Sequence, residues 1–359
     1  MLLIVGCGEA GHMGNYLARA ANALQIPCEL VDVSQAEAKN RYVQKFYWHF
    51  RGKRPVHLRE FAQQVVNTCD AQTPKIVLTT GGRVPLDRED IGALRSRGIK
   101  VINYSTDDPW NPKLRAPYFM ATLAEYDEVF TPRHSNIADF LRCGVHRVSY
   151  LPFAYDSNIH RPWFGPSFCE DPHSSPSDVL FVGGCDADRL PILGALADAG
   201  LTLALFGGYW DRHDNTRPFA RGIVSQDAIR AASATAKTTL CLVRRANRDG
   251  HAMRSFEAAA IGGCIIAEDT SDHRELFGPE GHAACYFDSV DALVQTVKRL
   301  VGDPYRRAAM TVNLRKRMHE RSDTYEDRLL KIVKTAMFDG NERFELANSQ
   351  PEAHRRQMS

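Results

Sequence analysis

The chain has 359 residues, 44% of them hydrophobic and 25% charged, with a net charge of +2. That length exceeds what one hydrophobic core usually fills, so two domains are expected, and the composition excludes a largely disordered chain. So mild a charge does not call for a nucleic-acid partner, and no apolar run approaches the roughly 20 residues that span a bilayer.

The opening run MLLIVG stops at a glycine loop and has neither a basic leader nor a small-residue cleavage site, so it reads as a first strand. Further strands are predicted at 28–33, 75–79, 100–104, 128–131 and 147–151, with helices at 16–24, 58–68, 88–97 and 136–143. Strand and helix alternating at this spacing predict a parallel sheet covered on both faces. The nine cysteines show no C-x-x-C spacing, which points to reduced, buried thiols, no zinc site and a cytoplasmic location.

The first strand leads into Gly6-x-Gly8-x-x-Gly11, and Asp32 ends the second strand about 20 residues on. This is the dinucleotide fingerprint in its expected context, and such glycines bring backbone amides to a phosphate at a helix N-terminus. The same residues suit any first strand–helix turn that hugs a ligand or a neighbouring domain. His12 in this loop is either solvated or a base at the mouth of a cleft.

The segment 41–59 (RYVQKFYWHFRGKRPVHLR) interleaves aromatic and basic residues. It reads either as a solvated loop with a few packed aromatics or as an acceptor surface for something anionic or flat: a glycan, a lipid phosphate, or bases stacked on Tyr47 or Trp48. Gly8, Gly11, Arg83 and Trp48 are the acceptor-side candidates. Asp107 and Asp108 end a parallel strand, where open α/β sheets bind ligands, and are candidates for a catalytic base beside His12. An Asp-Asp-Pro turn explains them equally well.

The run 161–178 (RPWFGPSFCEDPHSSPSD) has no periodicity and is a linker candidate between domains at 1–160 and 179–340, with a polar tail at 341–359. Beyond it, strands are expected at 179–182, 203–206, 239–242, 264–267 and 285–287. Helices are expected at 190–199, 225–236, 255–261, 290–301 and 304–321. In the stretch 244–277, Arg254 and Glu257 fall on one helical face near the helix N-terminus. An arginine there suits a diphosphate, and a carboxylate one turn later suits sugar hydroxyls. The plainer reading is an ordinary ion pair.

Here a resemblance enters. Arg254, Phe256, Glu257, Ala260, Gly262 and Gly263 follow the pattern R-x-F-E-x-x-A-x-G-G, which resembles the donor-binding domain of GT-B glycosyltransferases of the CgeB-like (spore maturation protein) branch. The likeness extends to 178–184 (DVLFVGG) with Arg189, to 205–210 (LFGGYW), and to 322–325 (SDTY) with Arg328, where serine replaces the usual histidine. In the first half, 104–109 (YSTDDP) and 151–156 (LPFAYD) are similar as well. The resemblance implies two Rossmann-like domains facing each other across a cleft. It implies a sugar moved from a nucleotide-diphosphate sugar without a catalytic metal or further cofactor. Gly183, Gly184, Arg189, Gly207, Asp249, Arg254 and Glu257 would bind the donor, Asp249 standing where related retaining enzymes carry a glutamate. The acceptor stays open, nucleic acid included. The rival readings are an NAD(P)-dependent oxidoreductase using Gly6, Gly8, Gly11 and Asp32, and a non-catalytic coat or interaction protein on a transferase fold.

Overall fold

The structure is a computed structural model that describes residues 1–164 and 176–337. The expected tail at 341–359, most of the expected linker and Cys169 lie outside the described residues.

In the first half β1 (Leu2–Gly6), β2 (Cys28–Asp32), β3 (Ile76–Thr80), β4 (Lys100–Tyr104), β5 (Glu128–Thr131) and β6 (Val148–Tyr150) form a parallel sheet ordered β2-β1-β3-β4-β5-β6. In the second, β7 (Val179–Val182), β8 (Leu203–Phe206), β9 (Ala220–Gly222), β10 (Thr238–Cys241), β11 (Ile265–Glu268) and β12 (Ala284–Phe287) form another, ordered β12-β11-β10-β7-β8-β9. Numbered within its own half, this second order is 3-2-1-4-5-6, that of dinucleotide-binding sheets. Strands such as LLIVG are buried at every residue because helices cover both faces of a parallel sheet.

The helices of the first half are α1 (Met13–Ala23), α2 (Arg41–Phe50), α3 (Leu58–Gln72), α4 (Arg88–Ser96), the single turn α5 (Pro117–Met120) and α6 (His134–Arg142). Those of the second are α7 (Arg189–Asp198), α8 (Gln226–Thr235), α9 (Met253–Ile261), α10 (Ser271–Phe277), α11 (Val290–Gly302), α12 (Pro304–Glu320) and α13 (Tyr325–Met337). Their starts follow capping chemistry. Asp87 and Asp90 form a capping box on α4, Ser225 accepts from the Ala228 amide on α8, and Asp303 with Pro304 opens α12. Gly262, at φ 93°, ends α9 in the left-handed conformation that disfavours a side chain. Among the described residues no helix is long and apolar enough to cross a membrane.

Two ties join α13 to the first half. The Tyr16 ring of α1 stacks on Tyr325 of α13 at 4.8 Å. Arg328, also on α13, donates from Nε and Nη2 to the Pro152 and Phe153 carbonyls that lead out of the first half, and its Nη2 pairs with Asp323. The tyrosine and arginine of the 322–328 motif thus clamp the last helix onto the first sheet. One buried cluster runs from Leu2 and Ile4 through Leu151 and Tyr325 to Phe256 and Ile265.

The second half also buries a histidine with both ring nitrogens engaged. His273 of α10 accepts at Nε2 from the Ser255 hydroxyl (2.8 Å) while Nδ1–H donates to the Glu268 carbonyl (2.8 Å). Burial drives its pKa down to about 4. A histidine depressed on folding contributes stability that is complete above its unfolded pKa near 6.5 and lost as pH falls through 4. Relative to a His273→Gln variant, the parent is expected to lose about 3 kcal/mol between those limits. Urea midpoints measured across the range check it, and a constant difference between the two proteins would refute it.

Candidate active site

In an open parallel sheet, ligands bind beyond the carboxyl ends of the strands where the strand order reverses. The second sheet reverses between β7 and β10. There β7 runs into Gly183 and Gly184. The Gly183 amide donates to the Phe206 carbonyl (2.7 Å), and its own carbonyl accepts from Trp210 Nε1 (2.8 Å). Gly207 allows this close contact, since a Cβ on it would lie 2.4 Å from that carbonyl oxygen. The sequence reading offered both glycine amides to a phosphate. Gly183's is consumed by β8, whereas Gly184's makes no hydrogen bond among the described residues.

Arg189 opens α7 over the same turn. Its Nη1 donates to the Gly184 carbonyl (3.1 Å), its guanidinium lies over the Phe181 ring, and its Nε is buried without a hydrogen-bond partner. Burial, and secondarily the like charge of Arg244, hold its pKa below the usual arginine range, against the opposing pull of Asp186. Arg244 follows β10, is exposed and forms no ion pair among the described residues. Two cations beside a free amide at the switch point are a candidate anion site. Arg244 was not among the sequence candidates; the strand order is what marks it.

The loop between β10 and α9 crosses to the first half. Arg248 donates to Asp108 from Nε (2.6 Å) and Nη2 (3.0 Å) and pairs with Asp139 (2.8 Å); Asn247 accepts from Asn111 (2.7 Å). Asp249 pairs with Arg133, both side chains almost fully buried. Burial raises the Asp249 pKa and Arg133 opposes that shift. Next to it, His251 accepts at Nε2 from the Phe153 amide (3.3 Å), so Nδ1 carries the proton shared with Asp272 (3.0 Å). Two candidates change character here. Asp108 is 1% exposed and also accepts from the Trp110 amide and Asn136, so its lone pairs are committed and a base role does not fit. Asp249's carboxylate is held by Arg133 rather than offered to a donor sugar.

Arg254 and Glu257 form the ordinary ion pair through one carboxylate oxygen, Oε2. The other, Oε1, is buried without a hydrogen bond, 3.6 Å from His160 Nε2. His160 Nδ1 accepts from the Asp156 amide (3.0 Å), which leaves Nε2–H facing Glu257 and the Tyr16 hydroxyl. A cavity of about 20 Å³ beside Glu257 and Thr239 has room for one water and none for a sugar. Arg254 is therefore in a different cluster from Arg189. Its charge answers Glu257 first, with Tyr16 and Tyr325 nearby, whereas Arg189's charged neighbours are Asp186, Arg244, Asp249 and Glu268.

The first sheet reverses between β1 and β3, and a cavity of about 400 Å³ opens there. His12, Lys53, Arg83, Asp107 and Tyr118 line it. Trp48 reaches it through Arg83, whose guanidinium lies over the indole at 4.4 Å. Gly8 and Gly11 shape the loop rather than line the cavity: Gly8 lies against Asp32, and Gly11 needs its φ of 89°. The close contacts fall on Gly6, where a Cβ would meet Thr80 Oγ1 of β3 at 2.3 Å and Gly14 Cα of α1 at 3.1 Å, and on Gly14, where it would meet the Cys7 carbonyl at 2.6 Å. Packing accounts for the glycine-rich turn without a dinucleotide. In the same loop, donor atoms of Cys7, Glu9 and His12 lie within 4.8 Å of one another, a set able to hold a borderline metal ion.

Residues 189–334 match the family described as glycosyl transferase-like. A search of curated proteins finds no match. Solved structures share the whole architecture. Sucrose-phosphate synthase (tll1590) from Thermosynechococcus elongatus superposes with TM-score 0.65 at 14% identity, covering 97% of this chain and 99% of that one. Anabaena Alr3699/HepE in complex with UDP-glucose gives 0.65 at 13%, covering 94% and 99%. A glycosyltransferase from Rickettsia africae ESF-5 gives 0.64 at 11%, covering 93% and 97%. At these identities the likeness is one of fold, and that fold is GT-B.

Proposed function

We propose that this GT-B chain is a glycosyltransferase, of the CgeB-like branch, which moves a sugar from a nucleoside-diphosphate sugar bound by its domain at 179–340 to an acceptor bound by its domain at 1–160. The observation that carries the reading is the pairing of Arg189 and Arg244 at the switch point of the second sheet, with the unpartnered Arg189 Nε and the Gly184 amide beside them. A nucleoside diphosphate brings the anionic oxygens those donors lack. The family match over this half and a structural neighbour in complex with UDP-glucose support the same ligand class.

In the reaction the bond from the anomeric carbon to the terminal phosphate oxygen breaks and a bond to the acceptor nucleophile forms. The electron pair of the broken bond stays on the diphosphate, where Arg189, Arg244 and the Gly184 amide stabilise it. That field is set before reaction and needs no metal in this reading. The acceptor's proton goes to a base on the cavity of the first domain. Asp107 lines that cavity and is the better candidate, with His12 at its rim; Asp108 is excluded by its four hydrogen bonds.

Calorimetry and thermal shift with UDP, GDP, dTDP and NADH test the reading. One nucleoside diphosphate is expected to bind and raise Tm, and NADH to do neither. Binding of NADH alone would replace the transferase by an oxidoreductase, and silence from all four would favour a non-catalytic protein.

A further inference from the structure

Among the described helices of eight or more residues, α2 alone has no buried residue. The asparagine cap explains why it is still a helix, since Asn40 accepts from the Tyr42 amide. Four of its apolar side chains point to solvent: Tyr42 is 68% exposed, Val43 39%, Phe46 49% and Phe50 75%. Tyr42, Phe46 and Phe50 are spaced four apart and so make one stripe, with the Phe46 and Phe50 rings 5.4 Å apart. An exposed apolar stripe of this kind on a globular protein marks an interaction site.

The charge along this segment is one-sided. Residues 38–59 contain seven Lys or Arg and no Asp or Glu, in a chain whose net charge is +2. Arg54 pairs with Asp87, and Lys53 donates to the Arg115 carbonyl. Lys39, Arg41, Lys45 and Arg51 form no ion pair among the described residues. They leave a basic field flanking the aromatic row.

We propose that α2 and the turn after it dock on an anionic membrane surface. An interfacial helix needs an apolar face to enter the boundary between headgroups and acyl chains and a basic flank to meet anionic headgroups, and α2 has both. A second copy of this chain would bring two such basic segments face to face, which like charge opposes. Nucleic acid fits less well. The exposed apolar residues Val43, Phe46 and Phe50 carry no polar atoms for base edges, and Phe46 and Phe50 pack on each other instead of standing apart to take a base between them. Gln44 and Lys53 also line the cavity of the first half, so docking brings its mouth to the headgroup layer. The proposal does not depend on the transferase reading, and the nucleotide titration stands whether it succeeds or fails.

Co-sedimentation of the full chain with vesicles tests it. Vesicles of phosphatidylcholine with about a third phosphatidylglycerol are expected to bind, with affinity falling as salt rises, and pure phosphatidylcholine vesicles are not. Lys45→Glu with Arg51→Glu, and separately Phe46→Ser with Phe50→Ser, are each expected to lower vesicle affinity at least about ten-fold at unchanged Tm, because these side chains are exposed. Equal binding to both vesicle types, no binding to either, or unaltered binding by both variants would overturn it. So would a single-stranded oligonucleotide that binds the parent, is lost in the same variants, and meets no competition from vesicles.

Discussion

Arg133→Met is expected to destabilise the protein by about 3–5 kcal/mol at neutral pH, the usual cost of removing one partner from a buried ion pair. Both side chains are almost fully buried, and Arg133 also donates from Nη2 to the Thr106 carbonyl (2.9 Å). Without the guanidinium, the Asp249 carboxylate is a charge in a poorly solvated place, already pushed upward in pKa by burial. Its escape is to take up a proton, so the sign of the pH dependence is fixed. The penalty should be largest where Asp249 would have to be ionised and should shrink as pH falls through its raised pKa. Asp249→Asn alone strands Arg133 instead, and since asparagine mimics the protonated carboxyl, its difference from the parent should vanish once the parent's own Asp249 is protonated in acid. The double variant Arg133→Met, Asp249→Asn removes both charges and should recover most of the loss. Urea unfolding of the three variants at neutral and mildly acid pH checks this. A loss under about 1 kcal/mol for Arg133→Met would show that the pair is not buried in solution. Because Arg133 is in the first half and Asp249 in the second, the same variants report on whether the halves hold each other.

Much of the architecture was legible because parallel strands covered on both faces must be apolar throughout: LLIVG and VLFV read as strands for that reason. The edge strand β9 was not, since ARG is three residues long and partly exposed, with no apolar run to mark it. The α2 segment reads as a loop because basic residues interleave its aromatics, although Tyr42, Phe46 and Phe50 recur at helical spacing behind the Asn40 cap. Site residues divided in the same way. A strand followed by Gly-Gly and then an arginine at a helix start marks a candidate anion site locally, and that pattern is what singled out Arg189. Arg133 and His160 act through partners about a hundred residues away, and nothing in the local pattern of a Thr-Pro-Arg turn or a lone crossover histidine names Asp249 or Glu257. Asp108 shows the opposite error. Its place at a strand end suggested chemistry, while the arginine that occupies it lies 140 positions on.

Arg244→Ala is expected to lower kcat by about 10²–10³-fold while leaving the fold intact, as for loss of one preorganised donor to a developing anion. The choice of residue matters. Arg189 also braces the Gly184 carbonyl and covers the Phe181 ring, so truncating it would mix binding with structure. Arg244 is exposed and makes no ion pair among the described residues, so Tm should not move. Charge on the leaving diphosphate grows as its bond to the sugar breaks, so the deficit should appear in kcat more than in KM. Arg244→Lys keeps the charge but not the planar fork, and should recover part of the rate. A double-mutant cycle with Arg189→Lys then tests whether the two cations act on one anion. If they do, the combined loss should differ from the sum of the single losses by more than about 0.5 kcal/mol. Additive losses, or an Arg244→Ala enzyme with unchanged kcat, would take Arg244 out of the site and leave Arg189 with the Gly184 amide alone.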